Sequence, residues 1–85
     1  MPTAVVTGGS TGIGAATVKT LAKKGYNVAF SYLKSAQEAE AVVQEASTYG
    51  TKIFAYRADA TSLQDMKAFA EEVRLIFGKI DALVV

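Results

Sequence analysis

The chain has 85 residues, a hydrophobic fraction of 51% and a net charge of +1, which suits one small domain over residues 1–85 with strands buried on both faces. So small a charge argues against a nucleic-acid binder that works through an electrostatic footprint. The absence of cysteine and histidine excludes disulfides, thiolate metal sites, a cysteine nucleophile and the commonest general base and metal ligand.

Hydrophobic periodicity switches repeatedly between strand-like runs and helix-like stripes. Residues 3–7 (TAVVT) form a short apolar run that ends at a glycine cluster. Over residues 12–24, Ala15, Val18, Leu21 and Ala22 recur at helical spacing, and Gly25 stands where a left-handed stop is expected. Lys23 and Lys24 complement the dipole at that helix end. Residues 27–32 (NVAFSY) read as a second strand. Ser35 and Glu38 have the spacing of a capping box, Ala39, Val42, Val43 and Ala46 form a buried stripe, and Gly50 ends the helix.

Residues 52–58 (KIFAYRA) are predicted as a third strand, and Thr61 with Gln64 as a second capping box. Met66, Phe69, Ala70, Val73, Ile76 and Phe77 continue as a helical stripe closed by Gly78. Residues 80–85 (IDALVV) begin a fourth strand. This β-α-β-α-β-α-β alternation implies an α/β fold with a parallel, Rossmann-type sheet in the order 3-2-1-4. The first two helices are expected on one face and the third on the other.

The most informative segment is TGGSTGIG, residues 7–14, between the first strand and the first helix. Glycines at 8, 12 and 14 provide for a sharp turn off the strand, a close backbone approach to a phosphate, and tight helix–strand packing. The free amides of the helix start then face an anion, aided by the dipole. A P-loop is the obvious competitor, since Gly9 and Gly14 have its separation. Ala15 and Ala16 stand where that motif requires Lys and Ser/Thr, so phosphoryl transfer loses its main parts.

This segment resembles the T-G-x-x-x-G-I-G motif of the short-chain dehydrogenases/reductases, matched at Thr7, Gly8, Gly12, Ile13 and Gly14. Thr11, where an extended-class member would have glycine, places the likeness in the main class. Ala58-Asp59-Ala60 is similar to the family segment whose Asp reads the adenine ring. The resemblance covers the whole chain and is strongest to the branch of bacterial 3-oxoacyl-carrier-protein reductases and glucose dehydrogenases. It implies a dinucleotide site formed by Thr7, Gly8, Ser10, Thr11, Gly12, Ile13, Gly14, Ser31, Tyr32, Lys34, Ala58, Asp59 and Ala60.

An acid at the end of the second strand hydrogen-bonds the ribose 2′-OH and selects NAD. That end reads Ser31-Tyr32-Leu33-Lys34, so NADP is the expected cofactor, with NAD as the alternative. Lys34 and the hydroxyls of Ser31 and Ser35 are candidates to meet a 2′-phosphate. Residues 1–34 carry four lysines and no acid, a basic front half that favours a phosphate ligand of either kind. Two features oppose NADP, because Thr11 and Leu33 stand where many NADP-using relatives carry Arg.

Catalysis in the resembled family uses a Tyr and a Lys four residues later, with a supporting Ser and Asn. Four residues beyond Tyr26, Tyr32, Tyr49 and Tyr56 stand Phe30, Ala36, Ile53 and Ala60, so no catalytic residue is assigned. The expectation is the front, cofactor-binding part of an oxidoreductase whose parent reduces a carbonyl or oxidises an alcohol and forms homo-oligomers. The alternatives are a non-catalytic dinucleotide-binding or sensing module, and an interaction protein whose glycines are merely turns. No nucleic-acid or membrane partner is expected, since no apolar run nears the ~20 residues of a span. The N-terminus lacks the features of a signal peptide, which points to the cytoplasm.

Overall fold

The computed structural model describes residues 1–84; Val85, assigned above to the fourth strand, lies outside the described residues. The chain runs β1 (Thr3–Val6), α1 (Gly12–Lys23), β2 (Asn27–Tyr32), α2 (Ala36–Ser47), β3 (Ile53–Arg57), α3 (Leu63–Phe77) and β4 (Ala82–Val84). All pairings are parallel and the sheet order is β3-β2-β1-β4, as expected. The register sets Val5 beside Ala29 and Leu83, so the two inner strands form the buried centre.

Strand alternation sends neighbouring side chains to opposite faces. Val6, Val28 and Phe30 pack against Val18 and Ala22 of α1 and Ala39, Val42 and Ala46 of α2. Val5 and Ala29 meet Phe69 and Val73 of α3 on the other side. Two helices therefore cover one face and one covers the other. Residues with no alternating polar partner, such as Ala29 and Phe30, are fully buried because each face of the strand meets a helix.

Both expected capping boxes need correction. Ser35 is the N-cap residue of α2, but its side chain makes no cap hydrogen bond. The N-cap of α3 is Ser62 rather than Thr61, and its hydroxyl accepts the Asp65 amide at 3.2 Å. Thr61 is drawn instead to Asp59, whose Oδ1 accepts both its amide and its hydroxyl. The helix thus starts one residue later than expected. The fourth strand also starts later, at Ala82, because the carboxylate of Asp81 turns back to accept the Thr3 amide at 2.8 Å.

The stripe on α3 is less buried than its periodicity suggests. Phe69 and Val73 are buried, whereas Ala70 and Ile76 of the same stripe are exposed. Beside α3 runs an apolar groove of about 380 Å³ lined by Val5, Met66, Phe69, Ala70, Ile80 and Leu83. Among the described residues, β4 pairs on one side only.

Candidate functional site

Parallel pairing gathers the C-terminal ends of the strands, and so the loops after β1, β2 and β3, at one edge of the sheet. The chain leaves β1 toward β2 on one side and later returns to β4 on its other side. Such a reversal of strand order opens a crevice above the carboxyl ends of the strands. The glycine segment lies over that crevice.

Its glycines divide the work differently from the expectation. Gly8 and Gly12 adopt φ of 69° and 55°, and a Cβ at either would meet nothing within 4 Å. What matters there is left-handed backbone, which L side chains disfavour. Gly14 is helical, and an added Cβ would overlap the Gly8 carbonyl oxygen. Its close approach is therefore to the loop itself rather than to the strand. Gly9, which the resemblance did not use, is buried on Phe30; a Cβ there would lie 2.6 Å from the Phe30 Cβ. Only its neighbour across the sheet reveals this requirement.

The loop leaves donors free. No side chain caps α1, and the first amide of that region with a protein acceptor is Ala15, which donates to the Thr11 carbonyl. Among the described residues, the amides of Gly12, Ile13 and Gly14 have no protein partner. Thr11, Gly12 and Ile13 are exposed, and Ser10 is buried behind them. Three unpaired amides at the positive end of a 12-residue helix make a cradle fitted to a phosphate.

The second loop departs from expectation at one residue. Ser31, a candidate for the 2′-phosphate, is 1% exposed, and its Oγ accepts the Gly8 amide at 3.2 Å. Its carbonyl accepts the Gly9 amide at 3.0 Å. Its hydroxyl thus faces the glycine loop rather than the end of the strand. Tyr32 is half-buried, and Lys34 is exposed just beyond it. The register places Arg57 of β3 beside Tyr32, a second cation at this end that the sequence reading did not single out.

In the third loop, Ala58 is buried, Asp59 half-buried and Ala60 exposed. The hydroxyl and amide of Thr61 donate to Asp59 Oδ1 at 2.7 and 2.9 Å and hold this carboxyl below the ordinary carboxylate range. The Asp59 amide donates to Asp65 Oδ2 at 2.9 Å. Both the side chain and the backbone of Asp59 are thereby oriented, and its Oδ2 stays free of protein partners among the described residues. Asp65 was missed because its partner lies upstream of the helix cap, outside any capping pattern.

The short chain dehydrogenase family model matches residues 2–85. The chain belongs to that family. It is 44% identical over 81 residues to the 3-oxoacyl-[acyl-carrier-protein] reductase FabG of Staphylococcus aureus, covering 95% of this chain and 33% of that protein. It is 42% identical to the L-rhamnose 1-dehydrogenase (NADP(+)) of Thermoplasma acidophilum, over 95% of this chain and 32% of the relative.

Among solved structures, a short-chain dehydrogenase/reductase from Serratia marcescens superposes with a TM-score of 0.93 at 43% identity, over 96% of this chain and 34% of that one. An alcohol dehydrogenase from the archaeon Thermococcus sibiricus, complexed with 5-hydroxy-NADP, gives 0.90 at 31% identity over 98% and 35%. The chain spans about a third of the length of these relatives. Among the described residues, no helix is long and apolar enough to cross a membrane.

Proposed function

We propose that this chain provides the adenosine- and pyrophosphate-binding part of an NADP(H)-dependent short-chain oxidoreductase. The reaction is reduction of a small-molecule carbonyl, or oxidation of the corresponding alcohol, by hydride transfer. The observation that carries this reading is the trio of unpaired amides at Gly12, Ile13 and Gly14, set over the crevice where the strand order reverses.

The pyrophosphate is held by those amides, with the backbone turns at Gly8 and Gly12 keeping side chains out of its way. The exocyclic amine of adenine meets the free Oδ2 of Asp59. Tyr32 and Lys34 face the ribose, and the lack of an acid there avoids repulsion of a 2′-phosphate. When bound, the nicotinamide ring supplies or accepts the hydride. The proton relay comes from residues other than those of this chain, because none of its four tyrosines has Lys four positions on.

Two comparisons favour NADP as the cofactor. One relative carries NADP(+) in its name, and one solved neighbour is complexed with 5-hydroxy-NADP.

Titrating the chain with NADP⁺ and NAD⁺ while following thermal unfolding tests the proposal. A ligand at 100 times its Kd stabilises the folded state by about 2.7 kcal/mol. The expected result is a midpoint that rises with NADP⁺ and rises less with NAD⁺. Lys34→Ala should narrow that difference. A cooperative transition that neither cofactor moves rejects the binding role; equal shifts reject the preference alone.

A further inference from the structure

We infer that Ser31 is a positioning residue for the glycine loop, fixing which amides the loop keeps for itself and which it offers to the pyrophosphate. This rests on the dinucleotide reading above and assigns Ser31 a different task from contact with a 2′-phosphate.

The geometry is specific to this side chain. Ser31 is 1% exposed and is the next-to-last residue of β2. A buried hydroxyl needs a partner, and this one accepts the amide of Gly8 at 3.2 Å. The same residue's carbonyl accepts the amide of Gly9 at 3.0 Å. One residue of β2 thus takes up two consecutive loop amides. Gly8 is also where the chain turns, with φ of 69°, a conformation that glycine explores freely unless something pins it.

With Gly8 and Gly9 tied to β2, the free donors begin further along, and those of Gly12, Ile13 and Gly14 converge at the helix start. Gly8 itself is exposed, so loss of the Ser31 hydroxyl releases its amide to solvent or to compete for ligand, and lets the turn relax. Preorganisation of the cradle then falls, and with it affinity for the group the cradle holds. Ser31 also directly precedes Tyr32, so the ribose side of the site and the pyrophosphate side share one anchor.

The test uses Ser31→Ala and Ser31→Cys, the second keeping side-chain volume while offering only a weak acceptor. Two readouts separate positioning from general stability. The first is amide hydrogen exchange without ligand. Gly8 should exchange faster in both variants, while Gly9, whose acceptor is a main-chain carbonyl, keeps its wild-type rate. The second compares NADP⁺ with adenosine 2′-phosphate, which lacks the pyrophosphate.

Affinity for NADP⁺ should fall roughly five- to tenfold, the size of one net hydrogen bond, with adenosine 2′-phosphate within about twofold of wild type. Unchanged Gly8 exchange overturns the role of Ser31. So does an equal loss for both ligands, which marks a general structural effect. If the wild-type chain binds adenosine 2′-phosphate, NADP⁺ and NAD⁺ not at all, the dinucleotide reading itself fails and this inference falls with it.

Discussion

Replacing Gly9 with alanine separates a packing requirement from a conformational one. Gly9 has no positive φ, so alanine is conformationally acceptable there. The obstacle is room: an added Cβ would lie 2.6, 2.7 and 2.8 Å from Cβ, Cγ and Cδ2 of Phe30. Phe30 is itself fully buried among residues of α1, α2 and β1, so its ring has no free space into which to retreat. Either the loop rises off the sheet or the core shifts, and overpacking of this kind costs about 1–3 kcal/mol.

For a domain of this size, 1 kcal/mol corresponds to roughly 4–8 °C in Tm. The expected loss is therefore about 5–20 °C, measured by circular dichroism on heating at a single protein concentration. Gly50→Ala is the control, since a Cβ there meets nothing within 4 Å but φ is 91°; its loss should reflect backbone strain alone. A Gly9→Ala midpoint within about 2 °C of wild type would refute the packing argument, because no substantial rearrangement would then be needed.

Three other outcomes follow from the geometry. Ser62→Ala removes a side-chain cap and should lower stability by about 1 kcal/mol, whereas Ser35→Ala, with no cap bond to lose, should change it far less; urea denaturation compares them. Asp81 is held below the ordinary carboxylate range first by the Thr3 amide and then, more weakly, by Lys79. Its depressed pKa contributes stability above the unfolded value, and that contribution is lost as pH falls through the folded value. Asp81→Asn should accordingly flatten the acid limb of stability below about pH 4, seen by acid titration of the circular dichroism signal. The groove beside α3 and the pairing of β4 on one side only among the described residues, with Leu83 64% exposed, predict self-association of the isolated 85-residue chain. Leu83→Lys should shift sedimentation velocity profiles toward monomer at equal concentration.

Much of this protein is legible in its sequence because local chemistry leaves periodic marks. Alternation of short apolar runs with helical stripes specifies β-α-β-α-β-α-β, and right-handed crossovers then restrict the strand order to 3-2-1-4. Gly25 and Gly78 mark helix stops because positive φ is intrinsic to the residue. The glycine segment reads as an anion cradle for the same reason: its spacing between a strand and a helix is local.

What tertiary structure alone decides concerns partners distant in sequence. Gly9 needs to be glycine because Phe30 lies across the sheet, 21 positions later. Ser31 looks like a site hydroxyl at a strand end, but folding buries it and gives it the Gly8 amide. Asp65 orients Asp59 from within α3, and Thr61 loses its expected cap role to Ser62 because the Asp59 carboxylate competes for it. A hydroxyl or a carboxylate carries no sequence mark of which donor it will meet. The sequence therefore determined which backbone shapes this chain adopts, and the packed sheet decided which polar groups remain free to bind.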